Sequence, residues 1–553
     1  MMRQPADVMN LERMGSSFQT RLSFMRTLIR RMKRENWRFE KRRFDVDASG
    51  YGVSIFCAHT PERTYSLIVF TNELAPEKRT DRVIAEAWDA TFNLFDGIPN
   101  KDDIERLAIN TPKQEAGRFL PSELSLARAN KSLRLFEHIT ESLANGFQPD
   151  IELVSSVGYL MRTTAVYGSG KFGCADRAKT ANRPETQGAF QVEMMAVYLF
   201  RWFTIELVEH VARARGGENA VALNEEIKRY LGIGNSTGLG MAPFLVKHPV
   251  LVHNWVNARE KALACVRELE HSTAGSIDSF RHNLARAILH INEWDVEDSQ
   301  QSERIARLRK DMTDLSVYSK TLDNSSPFPW NALYEHAEAS YSSEGQELTV
   351  TLLLEPHGDL VDDLADDMFA TNGPALEPAM TLGHLRDLIA KHYHWALEID
   401  YATPMAQKNF WYYSEDKLEP RFGDRATEPG AEREMPLAIG RDVAHLADVI
   451  QNEGPQCKVA DFLRQKPEYR YIVRRIQTIT HYPYAEINDN LIGGDVRPLD
   501  LLRFKLAFFG ASKFDPKSDL WTRICMYQGA PLPDDLNSID PDAWAFPVKP
   551  EAA

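Results

Sequence analysis

A motif that recurs in order and at constant spacing restricts a fold strongly, because both copies must pack the same pattern. From Val53 the chain reads VSIFCAHTPERTYSLIVFTNELAPEKRTDR, and from Leu397 it reads LEIDYATPMAQKNFWYYSEDKLEPRFGDR. Ile55 aligns with Ile399, Ala58 with Ala402, Thr60-Pro61 with Thr403-Pro404 and Asp81-Arg82 with Asp424-Arg425. Each copy has an alternating run, a Thr-Pro turn, an aromatic second run and a Leu-x-Pro turn, the pattern of a β-hairpin leading into a helix. Leu133–Thr140 then aligns with Val473–Thr480, and Tyr167–Gly173 with Phe509–Asp515, with every offset between 340 and 344. An ancestral duplication accounts for that order. The competing explanation is turn vocabulary shared without common descent.

The material between the copies differs in kind. Phe190–Ala214, Ala222–Leu231, Pro249–Glu270, Ile277–Trp294 and Glu303–Thr321 carry apolar residues at three-and-four spacing, which predicts a helical domain. The expected fold class is therefore α+β, with two related hairpin-plus-helix units flanking a mostly α-helical domain. In residue numbers this reads as a basic arm (1–34), a first α+β unit (35–184), a helical bundle (185–325), a linker (326–345), a second α+β unit (346–525) and a C-terminal tail (526–553). A length of 553 residues agrees with about three units.

Charge divides along the same lines. Residues 1–43 hold twelve Lys or Arg against four Asp or Glu, a sum of +8, so the total of −14 leaves −22 for the rest. Such an acidic body argues against a nucleic-acid coat. The arm places Leu22, Met25, Leu28 or Ile29 and Met32 on one side and Arg26, Arg30, Arg31, Lys33 and Arg34 on the other. It reads as a strap on the acidic body or on a second subunit, the latter giving a homo-oligomer; gripping an external anionic surface is the alternative. No run reaches the ~18–20 apolar residues of a membrane span. The five cysteines form no CxxC pair, which disfavours a disulfide framework or zinc site and points to a reducing cytoplasm.

Two glycine-rich segments carry the candidate chemistry. In RTTAVYGSGKFGCADR, from Arg162 to Arg177, Gly168 and Gly170 permit close backbone approach to a ligand, and Arg162, Lys171 and Arg177 supply cations for a carboxylate or phosphate. The P-loop spacing is absent, since Phe172 follows Lys171. The plainer reading is a glycine-rich connection with solvated cations. The second segment, LGIGNSTGLG from Leu231 to Gly240, offers Asn235, Ser236 and Thr237 as polar contacts in a loop between two helices. A dinucleotide loop does not fit, because Glu225–Leu231 reads as helix. The plainer alternative is a tight turn with close packing.

Lesser candidates complete the reading. Arg128, Asn130, Lys131 and Arg134, on a helix expected from Ser122, would close the same anion site or form an exposed stripe. His392 and His394 would share a strand face with Glu398, but nothing fixes a third ligand and no metal is assigned. His481–Asn490 gathers acid-base groups in what is more simply a turn-rich loop. Cys174 lacks a placed His partner for nucleophilic chemistry.

The expectation is thus an enzyme acting on a small anionic metabolite, with its site between the first α+β unit and the helical domain. Arg162, Gly168, Gly170, Arg177, Asn235, Ser236 and Thr237 would bind substrate, and Tyr167, Lys171 and His248 would be catalytic. No cofactor, reaction type, membrane or nucleic-acid partner follows from the residues. The alternative is a non-catalytic assembly protein, built on a pseudo-symmetric duplicated platform and a basic arm.

Overall fold

Val53–Phe56 and Tyr65–Phe70 alternate large apolar side chains across both faces, and Thr60 turns the chain between them. The Thr60 hydroxyl accepts the Arg63 N–H at 2.9 Å and closes the hairpin. In the computed structural model this hairpin is the seed of a nine-stranded sheet. Residues 1–551 are described apart from 11–12, 14–17, 79–86, 113–119, 164–179, 181, 187–189, 239–248, 369–374, 404–410, 415–419, 423–433, 437–438, 489–502, 504–506 and 519–520.

Strands β1 (Arg38–Val46), β2 (Gly52–His59), β3 (Thr64–Thr71), β4 (Ala90–Asp96) and β5 (Glu123–Lys131) form an antiparallel meander. β6 (Tyr159–Thr163) joins antiparallel to β5, and β7 (Gly232–Gly238) lies parallel to β6. Of a small separate sheet, β8 (Trp411–Ser414), β9 (Pro420–Phe422) and β10 (Glu434–Pro436), the order is β10-β8-β9. The C-terminal hairpin, β11 (Lys513–Ser518) and β12 (Trp521–Met526), completes the large sheet through β12 against β7. One sheet therefore draws strands from each of the three regions that composition separates.

The expected helix Phe190–Ala214 is present as helix Gln191–Gly216, buried on almost every side and laid across one face of β2 to β7. Phe200 stacks on Phe92 of β4 at 4.1 Å between ring centroids. Ala127 is the register partner of Phe92, so a small side chain stands beside that ring. On the opposite, outer face, helix Lys101–Asn110 places Ile104 and Leu107 on Ile55, Cys57, Ile68, Phe70 and Phe95. Its Arg106 is ion-paired with Glu123 of β5.

Several expectations change here. The helix expected from Ser122 is strand β5, because Leu126, Arg128 and Asn130 alternate with Ala127 and Ala129 across the two faces of the sheet. The glycine loop expected from Leu231 is strand β7. A Cβ on Gly234 would lie 2.7 Å from the Tyr159 ring, and one on Gly232 would meet the Met526 carbonyl, so these glycines let neighbouring strands close together. The buried Arg201 side chain fixes the start of β7 by donating to the carbonyls of Arg229 and Leu231, each at 2.7 Å. Those carbonyls lie at the negative end of helix Glu225–Tyr230, which favours a cation. The expected strand around His392–His394 is instead the end of helix Leu382–His392 and the start of helix His394–Leu397. Residues 398–403, aligned with β2 by the repeat, lie in turns. Within the expected linker, Pro329–Ser340 is a helix with Trp330 fully buried.

The predicted helices of the middle region are present as Pro249–Arg267, Ala274–Asn292 and Ser299–Ser319. Against them and helix Gln191–Gly216 lies the basic arm, whose helix Phe24–Arg34 buries Phe24, Met25, Leu28, Ile29 and Met32. Its cations meet carboxylates of the same chain. Arg3 donates to Glu260 at 2.6 and 2.8 Å, Arg21 to Asp362 at 2.6 and 2.8 Å, and Arg26 to Glu355 and Asp542. Among the described residues no helix is long and apolar enough to cross a membrane.

Candidate functional site

The outer face of the sheet is apolar over β2 and β3 and turns polar over β4, β5 and β6. Cross-strand register sets the rows: Ile55, Ile68, Asn93 and Leu126 form one; Val53, Phe70, Thr91 and Arg128 the next; Asn130 and Arg162 belong to a third. Alternation within β5 keeps Arg128 and Asn130 on one face, so Lys131 faces the other way. Arg128 and Arg162 are diagonal neighbours, a spacing of about 7–8 Å between backbones.

Asn130 builds one wall. Its side-chain carbonyl accepts the Asp89 N–H at 2.9 Å, and its amide donates to the Ala87 carbonyl at 3.2 Å. Asp89 in turn accepts the Lys131 N–H at 3.0 Å. These bonds pin residues 87–89 beside β5 and set the Trp88 ring under Arg128, whose guanidinium carbon lies 3.8 Å from the ring centroid. Burial lowers the Arg128 pKa to about 10, still leaving a full positive charge near neutrality. A stacked, partly desolvated guanidinium acts more strongly on an anion than a solvated one.

Next to this wall the two parallel strands end. Thr163, last in β6, pairs with Asn235 of β7, and β7 runs on to Gly238. Segments 164–179 and 239–248 therefore leave the carboxyl ends of adjacent parallel strands, the place where α/β sheets hold ligands.

The expected site residues divide accordingly. Arg162 is buried on the outer face beside Asn130. Asn235 is buried too, but on the opposite face, where its amide donates to the Thr163 hydroxyl at 2.9 Å. Strand alternation thus separates the two side chains expected to share a substrate. Ser236 and Thr237 are strand residues whose backbones pair with Arg523 and Thr522. Tyr167, Gly168, Gly170, Lys171, Arg177 and His248 lie outside the described residues. Asn93 and Thr91 are common residue types at unremarkable spacing, and Trp88 is a lone aromatic, so none of the three stands out in the sequence. Only the polar interruption of the alternating run ATFNLFD, at Thr91 and Asn93, marks the face.

A second charged region lies between helix Phe24–Arg34 and residues 362–366. This cleft of about 280 Å³ sets Arg30, Arg31 and Lys33 against Asp362, Asp363 and Asp366. Its opposing charges serve each other, as in Arg30 with Asp362 at 3.5 Å, which makes it a seam between elements.

No family model, no curated protein and no solved structure matches the chain.

Proposed function

We propose that the protein is an enzyme acting on a small anionic metabolite, a carboxylate or phosphate, bound over the polar outer face where β4, β5 and β6 meet. The observation that carries this reading is Arg128, stacked on Trp88 and flanked by Asn130 and Arg162 at the carboxyl end of a parallel strand pair. Tyr167, Lys171 and His248 belong to segments that continue from those strand ends, and they remain the proposed catalytic groups. Gly168, Gly170 and Arg177 complete the proposed binding loop. Asn235 moves from substrate contact to holding β6 and β7 in register.

Cys57, Cys265 and Cys457 form no disulfide, which favours a reducing compartment such as the cytoplasm. The competing assembly-platform reading needs the duplicated units and a basic arm free to meet a partner or second subunit. Arg3, Arg21 and Arg26 count against it, since all three are engaged by carboxylates of their own chain.

The test is a thermal-shift and calorimetric screen of phosphates, nucleotides, CoA esters, carboxylates and amino acids on the intact chain, repeated on Arg128→Met and Lys171→Ala. The expected result is stabilisation by one anion class that weakens at least tenfold in Arg128→Met. Equal responses in wild type and Arg128→Met would remove the site from the place proposed.

A further inference from the structure

Asn93 lies at the middle of β4, wholly buried, yet among the described residues neither its amide nitrogen nor its amide oxygen has a hydrogen-bond partner. Among the described residues the Thr91 hydroxyl, two residues earlier on the same face, is also buried without a partner, and so is the indole N–H of Trp88. Buried polar groups in native proteins are satisfied in the great majority of cases, and one left unmade costs stability. Three such groups on neighbouring residues, bordering Arg128, concentrate that cost at one place. The flanking positions show what an ordinary strand would carry there: Ile68 and Leu126 are the register partners of Asn93, and both are apolar. A leucine at 93 would continue their row.

We infer that Trp88, Thr91 and Asn93 read the uncharged end of the ligand, and that this end is a carboxamide or lactam edge presenting a donor and an acceptor side by side. An Asn side chain offers one acceptor and two donors in a single plane, so it meets an amide edge with two antiparallel hydrogen bonds. Adenine is read by Asn in the same bidentate manner in other settings. The indole N–H is a donor only and suits a carbonyl; the Thr hydroxyl serves either way. This inference rests on the anion reading above, with Arg128 holding the charged group. Asn93 and Arg128 are diagonal neighbours across β4 and β5, separated by about 7–8 Å at the backbone. A carboxylate and an amide joined by three methylenes fit that separation. Trp88 and Arg128 are only half-buried, so the neutral end would pass them to reach Asn93.

The test uses the full chain and four probes: glutaramate, glutarate, 5-methylhexanoate (the apolar isostere of glutaramate) and inorganic phosphate. Wild type is expected to bind glutaramate at least tenfold more tightly than 5-methylhexanoate by calorimetry. Asn93→Leu is expected to abolish that preference while melting, without ligand, at or above the wild-type temperature. Thr91→Val serves as a second variant if Asn93→Leu fails to fold, and is expected to cut the preference severalfold. Equal binding of glutaramate and 5-methylhexanoate to wild type overturns the inference. So does an Asn93→Leu protein that melts lower yet keeps the preference, because Asn93 would then be structural. Glutarate and phosphate test the underlying reading separately: Arg128-dependent binding of either keeps the anion site standing when the amide preference is absent. Failure of all four probes overturns both.

Discussion

Asp542 is the shared anion of three arginines, and replacing it with asparagine tests whether the basic arm is a strap on the chain's own body. Its carboxylate lies 2.7 Å from Arg30, 2.8 Å from Arg26 and 3.0 Å from Arg21, with its side chain 10% exposed. Asp542→Asn keeps the shape and removes the charge. Losing one member of a buried ion pair costs about 3–5 kcal/mol. Here the cost lies at the lower end, because Arg26 keeps Glu355 and Arg21 keeps Asp362. The expected loss is about 3 kcal/mol, read as a fall in the urea midpoint followed by tryptophan emission, with buried Trp544 two residues away as reporter. The three guanidinium groups hold the Asp542 carboxyl well below the usual carboxylate range. Its contribution is therefore fully present above the unfolded value of about 3.9 and fades as pH falls through that value toward the folded one. The gap between wild type and variant should be constant above about pH 5 and narrow below about pH 4. As a control, Asp367→Asn at the exposed Lys261–Asp367 pair should change stability by less than about 1 kcal/mol. A gap under about 1 kcal/mol at pH 7, or one that stays constant to pH 3, would refute the argument.

Three further outcomes are expected. Gly234→Ala should cost about 1–3 kcal/mol by overpacking against the buried Tyr159 ring, whereas Gly275→Ala, in an open helical position, should be neutral or stabilising; equal melting of the two variants would remove the packing explanation of the glycines. Asn130→Ala should cost about 1–3 kcal/mol and should also weaken anion binding by releasing Trp88 from beneath Arg128; unchanged Trp88 quenching and affinity would count against its positioning role. His253 and His357 are buried, and burial holds both near a pKa of about 4. The unfolded chain therefore takes up protons first as pH drops below about 6.5, and stability falls from there toward pH 4 by at most about 1.4 kcal/mol per pH unit for each imidazole. A His253→Asn/His357→Leu variant should lose less urea resistance than wild type between pH 7 and 5, and an equal loss would exclude the two imidazoles as the cause.

What the residues disclose in advance follows how far each element depends on distant partners. The hairpin Gly52–Thr71 and helix Gln191–Gly216 were readable because their apolar patterns are local and their turns carry their own signals. The arm was readable for the same reason: an apolar stripe and a charge surplus are properties of the first 43 consecutive residues, and the −22 body is the obvious partner. Strand β7 is the opposite case. GIGNSTG has no β-branched run to mark it, and it becomes a strand because β6 and β12 supply partners on both sides, β12 nearly 300 residues later. Strand β5 misleads for a related reason. Its alanines are small where helix Gln191–Gly216 crosses, so the alternation that marks a half-buried strand is blunted, and its spacing imitates a helix.

The proposed anion site was half legible on the same account. Arg162 was singled out by its cationic, glycine-rich neighbourhood, and Arg128 by its charge, yet their shared face exists only once β5 is a strand lying against β6. Asn93 carried only a weak signal, because an asparagine inside an apolar run looks like a tolerated interruption. Its meaning comes from the register, which sets it between Ile68 and Leu126 with both amide atoms unmet among the described residues. Polar groups kept unsatisfied where an aliphatic side chain would fit are a stability cost, and stability exchanged for function is a common origin of such positions. That cost, more than any motif, is what directs attention to β4.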